Sequence, residues 1–566
     1  MADLKRTALI AQVLPDIRAI DKVFDYVVPE SMAPEVRVGT MVRIRLAGRR
    51  VGGWVVGQSD TSAAGERKLE PIAKVTGWGP PADLIDLAGW AAWRWAGRRS
   101  TFLATASPPG AVRGLPPGRP SPAPQPGGLS VVRMPPATDP YDLVAETAGR
   151  GPTLVLAPSA DQAVRLAVRL RGDGQAVALA SRDWARAAAG GVTVVGSRAA
   201  AWAPLPDLSA VVALDVHDEA YTEERTPSWN GWRVAAERAR RAGVPCLLTS
   251  PCPPIELQDV ETVALSRTEE RAGWPVVDVV DRRRDDPRTG LYSERLVQRL
   301  RSGGRTVCVL NRKGRAKLLA CAACGALARC ERCGAAVEQT EEGLRCRQCL
   351  LVRPVLCAAC GSQKLKTLRA GVTRVREELE ALAGVPVAEI TGDTKEPVPE
   401  APVVVGTEAV LHRVPAPVDT VAFLDFDQEL LAPRFRATEQ ALALIVRAAR
   451  LVGGRSGGGR VLIQTRLPKH EVVEAALHAD PARIWPVERE RRAALRFPPY
   501  AALAVVSGDA APAFVAALPG TVDALGPDDG RWLVRAPSTK PLCDALAATP
   551  RPSGGRLRIE VDPVRL

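Results

Sequence analysis

Eight cysteines within forty residues limit what this chain can fold into more than any other feature of its sequence. Cys321, Cys324, Cys330, Cys333, Cys346, Cys349, Cys357 and Cys360 form four C-x2-C pairs separated by 5, 12 and 7 residues. Each pair presents two thiolates from one tight turn, and two pairs complete the tetrahedron that Zn²⁺ prefers, with no position left for water. Four pairs therefore predict two closed, structural zinc sites per chain. Gly325, Gly334 and Gly361 follow Cys324, Cys333 and Cys360 directly and supply the permissive backbone such a turn often requires. Disulfides are the usual alternative in small secreted domains, but the first thirty residues intermix charges with apolar residues and lack a signal peptide's apolar stretch. Iron–sulfur ligation also uses thiolates, yet paired knuckles in a basic, otherwise redox-silent chain fit zinc better. Cys246 and Cys308 lie in apolar, strand-like runs and are expected to be inert core thiols, while Cys252 and Cys543 have no ligand partner at short spacing.

The rest of the sequence sets the class. A chain of 566 residues is too long for one core and implies about three to five domains. It is 46% hydrophobic and 25% charged, and no run approaches the roughly 18 apolar residues of a membrane span, so no membrane partner and a cytoplasmic location are expected. A formal charge of +13, carried far more by arginine than lysine, favours an anionic partner, because guanidinium forks pair with phosphates and stack on bases.

Periodicity divides the chain further. Residues 1–78 alternate apolar and polar runs between turns and predict a small β-rich domain. In PADLIDLAGWAAWRWAGRR, Leu84, Leu87, Trp90 and Trp93 are placed on one helical face, either as ordinary packing or as a base-stacking surface. Residues 106–128, with their dense Pro and Gly, read as a linker that closes the N-terminal unit 1–105. Apolar strands then alternate with helical patterns over 129–262 and again over 263–487, predicting two mostly parallel α/β lobes, the second interrupted by the cysteine insertion 321–361. Residues 488–566 read as a small α+β domain.

The knuckle array, preceded by LNRKGRAKLLAC and followed by GVTRVREEL, resembles the second lobe of the PriA family, the primosomal replication-restart helicases of superfamily 2. DKVFDYVVPE, VVVGTEAVLHRVP, LDFDQELLAPRFRATEQ and RRAALRFPPYA extend the resemblance, in order, through most of the chain. It implies that the lobes are RecA-like and that the cysteines pair crosswise, Cys321, Cys324, Cys357 and Cys360 around one zinc and Cys330, Cys333, Cys346 and Cys349 around the other. It also implies an N-terminal domain that grips the 3′ end of a nascent strand, with Phe24, Asp25 and Tyr26 in its pocket and Gly48 giving the nucleotide room to approach. A family lysine of that pocket falls at Glu70, with Lys68 nearby. On periodicity alone, Phe24 and Tyr26 would be strand-core aromatics.

The motor motifs depart from that family. A loop of the form G-x-x-x-x-G-K-[ST] cradles phosphates on its amides, and no Gly-Lys pair occurs in the chain. VVRMPPATDPYDLV stands in that place. The acidic box keeps Asp215 but continues Val216-His217, the Ser-Ala-Thr motif reads Ser250-Pro251-Cys252, and Arg447 and Arg450 lack their glycine frame. No catalytic residues are assigned. The resemblance then implies a degenerate helicase homologue without an enzymatic role. It would bind forked DNA and single-stranded ends in the bacterial nucleoid and recruit primosome or helicase-loading proteins, with single-stranded DNA-binding protein a further candidate. A divergent 3′-to-5′ helicase and a purely protein-binding zinc adaptor are the rivals. AYTEERTPSWNGW, the family's DNA-coupling aromatic loop, retains Tyr221, Trp229 and Trp232 either for DNA or for packing.

Overall fold

The computed structural model describes residues 9–17, 20–61, 69–283, 285, 291–311, 318–367, 372–390 and 397–565. They form two compact units, Met1–Ser130 with Pro140–Thr249 and Ala501–Pro563, and Val131–Asp139 with Ser250–Tyr500 and Val564–Leu566.

The first unit opens with five antiparallel strands in the order Phe24–Val27, Ile10–Pro15, Arg49–Ser59, Met41–Leu46, Lys74–Gly77. The sheet curls until residues 70–72 return to the first strand, the Val27 amide donating to the Glu70 carbonyl at 3.0 Å and the Ile72 amide to the Val27 carbonyl at 3.0 Å. Ala11, Val13, Tyr26, Val42, Ile44, Val55 and Ile72 fill its interior. Alternating polarity produces this arrangement, since successive side chains on a strand point to opposite faces.

The helix Ala82–Arg94 corrects one expectation. Its buried stripe is Leu84, Ile85, Leu87, Ala88 and Ala91, whereas Trp90 and Trp93 are half-buried. A strict three-residue spacing slips about 60° per step around a helix of 3.6 residues per turn, so Trp93 ends up opposite Leu84. The Trp93 indole donates to Asp544 Oδ1 at 2.9 Å and Trp90 meets Trp95 edge-on at 5.3 Å. Among the C-terminal residues of the same unit, four antiparallel strands in the order Asp523–Asp528, Arg531–Ala536, Ala502–Ser507, Arg558–Val561 carry the helices Ala511–Ala516 and Thr539–Ala548. This α+β region is tied to the first helix by the Arg94–Asp562 ion pair and by the Cys543 thiol, 3.3 Å from the Arg94 carbonyl.

The proline-rich segment contains no helix or strand from 108 to 128, but it is not a free tether. The Trp78 amide donates to the Val112 carbonyl at 2.8 Å, and the Gly127 amide to the Gly243 carbonyl at 3.0 Å. Between these points a Cβ on Gly118 would lie 2.3 Å from the Ala189 carbonyl oxygen, and one on Gly191 would lie 2.3 Å from that of Arg119. The missing side chains let the segment lie flat on the body of the unit.

That body is a parallel sheet in the order Cys246–Ser250, Ala210–Ala213, Thr153–Leu156, Thr193–Gly196, Val177–Leu179. The central strands TLVL, AVVA and TVVG are buried on both faces, which is why they read as continuous apolar runs. Helices start where a side chain can satisfy the first free amides. Ser159 accepts from the Gln162 amide at 3.2 Å and Asn230 from the Arg233 amide at 3.2 Å, each such cap being worth about 1 kcal/mol.

In the second unit six strands, all parallel, run in the order Val276–Asp281, Arg460–Thr465, Thr420–Phe423, Thr306–Val309, Val403–Gly406, Val387–Ile390. The helix Ala437–Val452 buries eleven of its residues here, contributing Leu442, Ile445 and Val446 to the main core. These are the two RecA-like sheets that the strand and helix alternation predicts. Between Thr306–Val309 and Val387–Ile390 the chain leaves the sheet and builds two small ribbons around the cysteines. Leu319–Cys321 pairs with Leu365–Thr367, and Val337–Thr340, Gly343–Cys346 and Val352–Arg353 form a three-stranded sheet.

Candidate functional site

Every C-x2-C pair folds into the same miniature hairpin. Its first cysteine's carbonyl accepts from the residue after the second cysteine: Gly325 to Cys321 at 3.0 Å, Gly334 to Cys330 at 2.9 Å, Leu350 to Cys346 at 2.9 Å and Gly361 to Cys357 at 2.9 Å. A second bond runs from each first cysteine's amide to the carbonyl five residues on, at 2.7–2.9 Å. This closure forces a left-handed backbone after the second cysteine, with φ of 73°, 77° and 74° at Gly325, Gly334 and Gly361. Leu350 takes the same conformation at 61° without being glycine.

The hairpins bring Cys321, Cys324, Cys357 and Cys360 together, and separately Cys330, Cys333, Cys346 and Cys349, the ligand atoms of each group lying within 4.8 Å of one another. Nearest sulfurs are 3.6 Å apart in the first group and 3.5 Å in the second. A zinc ion with sulfurs at about 2.3 Å has tetrahedral edges of about 3.8 Å, so both sets fit a closed four-thiolate ion. Their surroundings differ. Cys324 and Cys360 are exposed, whereas Cys330, Cys333 and Cys346 are buried and Cys349 is partly covered. The second group is also seated on its lobe, where the Ala336 amide donates to the Leu431 carbonyl at 2.9 Å and Leu318, Ala336 and Leu431 form a small core.

In the N-terminal domain, Phe24, Asp25 and Tyr26 share the strand that pairs with Ile10–Pro15, Asp25 opposite Gln12. Alternation sends Tyr26 inward, where it is 4% exposed, and its hydroxyl donates to the Arg45 carbonyl at 2.8 Å. Burial, then the Glu70 carboxylate, raises its pKa. Asp25 is turned to the opposite face from that core, and Phe24 is half-buried with the Lys22 ammonium 5.6 Å from its ring. Gly48 lies in the two-residue hairpin Ala47-Gly48, φ 49° and 77°, two residues beyond Arg45, and a Cβ there would meet nothing within 4 Å. Glu70 flanks the same strand through its carbonyl, and Lys68 lies outside the described residues.

The segment standing where a phosphate loop would be has no amide to offer from Met134 to Thr138. Pro135 and Pro136 have no N–H, and Met134 donates to the Ser250 carbonyl at 3.3 Å, Ala137 to Gly273 at 3.1 Å and Thr138 to Pro135 at 3.0 Å. Asp215 is 5% exposed with φ 55°, its amide donating to Thr249 Oγ1 at 3.2 Å. The aromatic loop packs inward. Tyr221 is fully buried and its hydroxyl lies 3.0 Å from the Leu156 carbonyl and 2.6 Å from that of Leu214, while Trp229 stacks edge-on against Trp202 at 5.9 Å. Trp202 in turn meets Phe102 at 5.4 Å, and the Trp184 indole donates to the Ala106 carbonyl at 2.9 Å. Arg447 is half-buried and Arg450 exposed on the helix Ala437–Val452.

Two polar clusters of the second unit escaped sequence analysis. Arg492, fully buried, is held by Glu488 at 2.7 Å and by Glu439. In the sequence it belongs to the charge run ERERR, which looks like a solvated helix face. Asp427, 3% exposed, accepts two bonds from the Arg466 amide, at 3.1 and 3.0 Å, and one from the Thr465 hydroxyl. Burial, then the neighbouring Asp425, pushes its pKa up to about 7. The repeated acids of LDFDQE were the available signal.

A curled N-terminal β domain, parallel RecA-like sheets and a pair of four-cysteine centres give the chain a helicase-like fold. Residues 12–108 match the PriA family model described as the 3′ DNA-binding domain. The probable replication restart protein PriA of Mycobacterium tuberculosis is 30% identical over 579 residues, covering 89% of this chain and 86% of that one. That of Mycobacterium leprae is 28% identical over 95% of this chain and 94% of its own length. The replication restart protein PriA of Bacillus subtilis is 27% identical over 56% of this chain, which spans only 43% of that relative. Among solved structures, a DEAD box protein from Methanococcus jannaschii matches at TM-score 0.30 and 10% identity, over 66% of this chain and 87% of that one. The chain belongs to the PriA family of replication restart proteins.

Proposed function

We propose that this chain binds stalled or abandoned replication forks through their free 3′ ends, promotes primosome assembly and reloading of the replicative helicase, and does not itself unwind DNA. The observation that carries the last part is the Met134–Thr138 segment, whose amides are missing or committed to carbonyls. Phosphoryl transfer depends on positioned donors around the β- and γ-phosphates, and loss of that cradle costs orders of magnitude in turnover. Fork binding rests on the 3′ DNA-binding domain match at 12–108 and on the net charge of +13. In this reading Asp25 contacts a base edge, Phe24 supplies an apolar wall, Tyr26 braces the strand from behind, and the open space above Gly48 admits the terminal nucleotide.

Both cysteine groups hold zinc in this proposal. The ion supplies folding energy, because four thiolates fixed around one centre tie together ribbons too small to bury a core. The ribbons then present a surface for primosome or helicase-loading proteins, with single-stranded DNA-binding protein as another candidate partner. The protein works in the cytoplasm, at the nucleoid.

The test measures ATP hydrolysis by the purified, zinc-replete chain with and without forked DNA, beside fork affinity over a range of salt. Tight, salt-sensitive fork binding without turnover supports the proposal, since phosphate contacts weaken steeply with ionic strength. DNA-stimulated hydrolysis would mean a working motor, and no fork affinity would leave an adaptor that binds proteins alone.

A further inference from the structure

We infer that the two four-cysteine centres are unequal by construction and that the outer one, Cys321, Cys324, Cys357 and Cys360, is an oxidant-sensitive metal switch while the inner one is a permanent fastening. This rests on the zinc reading proposed above. Two observations carry it. Cys324 and Cys360, one from each knuckle of the outer centre, are exposed, whereas the inner centre has three buried sulfurs and one partly covered. The inner centre is also tied to its lobe through the Ala336–Leu431 bond, and within the insertion Arg353 braces it by donating to the Leu356 carbonyl at 2.6 Å and the Arg329 carbonyl at 3.3 Å. Around its knuckles the outer centre has the three-residue pairing of Leu319–Cys321 with Leu365–Thr367, with Leu318 before it packed on Leu431.

Oxidation of a thiolate requires access to its sulfur. Each exposed sulfur has a resolving partner in the other knuckle, Cys324 with Cys357 and Cys360 with Cys321, both at 3.6 Å. A peroxide takes two electrons from such a pair. One thiolate attacks it, giving a sulfenic acid and hydroxide, and the neighbouring thiolate displaces a second hydroxide to close the disulfide. In sum, two thiolates and one hydrogen peroxide give one disulfide and two hydroxide ions. The ion loses two of its four ligands and leaves, which releases the outer ribbon and keeps the inner ribbon folded. A restart protein built this way would change its partner-binding surface under oxidative stress without losing its DNA-end domain.

Hydrogen peroxide titrated into the full chain, with released zinc followed by 4-(2-pyridylazo)resorcinol, tests this. Metal analysis of the starting protein comes first: a content other than two zinc ions per chain would fail the zinc reading itself. With two ions present, the expected result is biphasic release, the first ion leaving at least about tenfold faster than the second. Peptide mapping after the first phase should place disulfides at Cys324–Cys357 or Cys321–Cys360 and leave the inner four cysteines protected from alkylation. Simultaneous release of both ions, or oxidation of Cys330, Cys333, Cys346 or Cys349 first, would overturn the inference.

Discussion

The four knuckles provide an internal control for a quantitative prediction. Gly334 has φ 77° and is followed by open space where a Cβ would stand, so Gly334→Ala meets no neighbour within 4 Å and its effect is purely conformational. An L-residue in the left-handed region costs about 1–2 kcal/mol, and alanine's smaller unfolded-state entropy returns about 0.4–1 kcal/mol. The net loss is about 1 kcal/mol, or about a fivefold weaker hold on the inner ion, by the relation of 1.4 kcal/mol to each factor of ten. Leu350 sets the ceiling, because the equivalent position of the third knuckle already has a branched side chain at φ 61°. Zinc competition with a chelator, measured on wild type and Gly334→Ala, reads this directly. Loss of one whole equivalent of zinc would show that the closure depends on glycine for more than φ, and an unchanged affinity would show that the left-handed turn carries no strain. Either result refutes the reasoning.

Asp427 makes stability fall as pH rises. Its folded pKa of about 7 exceeds the ordinary 3.8, so the native state holds a proton that the unfolded chain has lost between those values, and Asp427→Asn should flatten that slope in urea melts of the full chain. His470 acts in the opposite direction. Burial lowers its pKa to about 4 from 6.5, so it contributes stability at neutral pH that is lost as the solution is acidified from 6.5 towards 4, and His470→Gln should reduce that acid sensitivity in the same melts. Asp25→Ala should weaken fluorescence-measured binding to forks with a free 3′ end by about tenfold, the worth of a hydrogen bond to a charged group, while leaving blunt duplex binding unchanged; equal losses would remove the pocket. Gly118→Val places a side chain where the Ala189 carbonyl lies 2.3 Å from the built Cβ, so limited proteolysis should cut the Pro108–Gly128 segment faster in the variant than in the wild type.

Periodicity and cysteine spacing made most of the architecture legible, because TLVL, TVVG and VVVG are buried on both sides and could hardly be anything but central parallel strands. Spacing also disclosed the knuckles, since the hairpin is a local structure whose requirements fit within six residues. What escaped was non-local. The fate of the aromatic loop was open in sequence, and it was decided by the Leu156 carbonyl, 65 residues away, which Tyr221 reaches together with the nearby Leu214 carbonyl. The proline-rich segment was identified as a linker by composition, yet its position is set by glycines in other elements, Gly191 among them, that leave room for it. Arg492 looked solvated because only Glu488 is a neighbour on its own helix, whereas its second partner, Glu439, comes from the helix Ala437–Val452.

These non-local contacts share a logic. A nucleotide site keeps polar groups waiting, and in the absence of ligand each buried, unanswered donor costs roughly 1–3 kcal/mol. Here Ala137 answers Gly273, Asp215 answers Thr249 through its amide, and Tyr221 is divided between the Leu156 and Leu214 carbonyls. Under the proposed function, the groups that a motor would reserve for phosphate and for DNA coupling are spent on the fold itself. A chain selected to hydrolyse ATP gains nothing from closing them, because each closure must be broken before substrate can bind. A chain that only holds a fork and its partners, as proposed, would gain stability from every one. Trp184, Trp202 and Phe102 likewise fasten the helix Arg99–Ala106 to the neighbouring sheet, and under the proposed function that rigidity would fix where a captured 3′ end is presented.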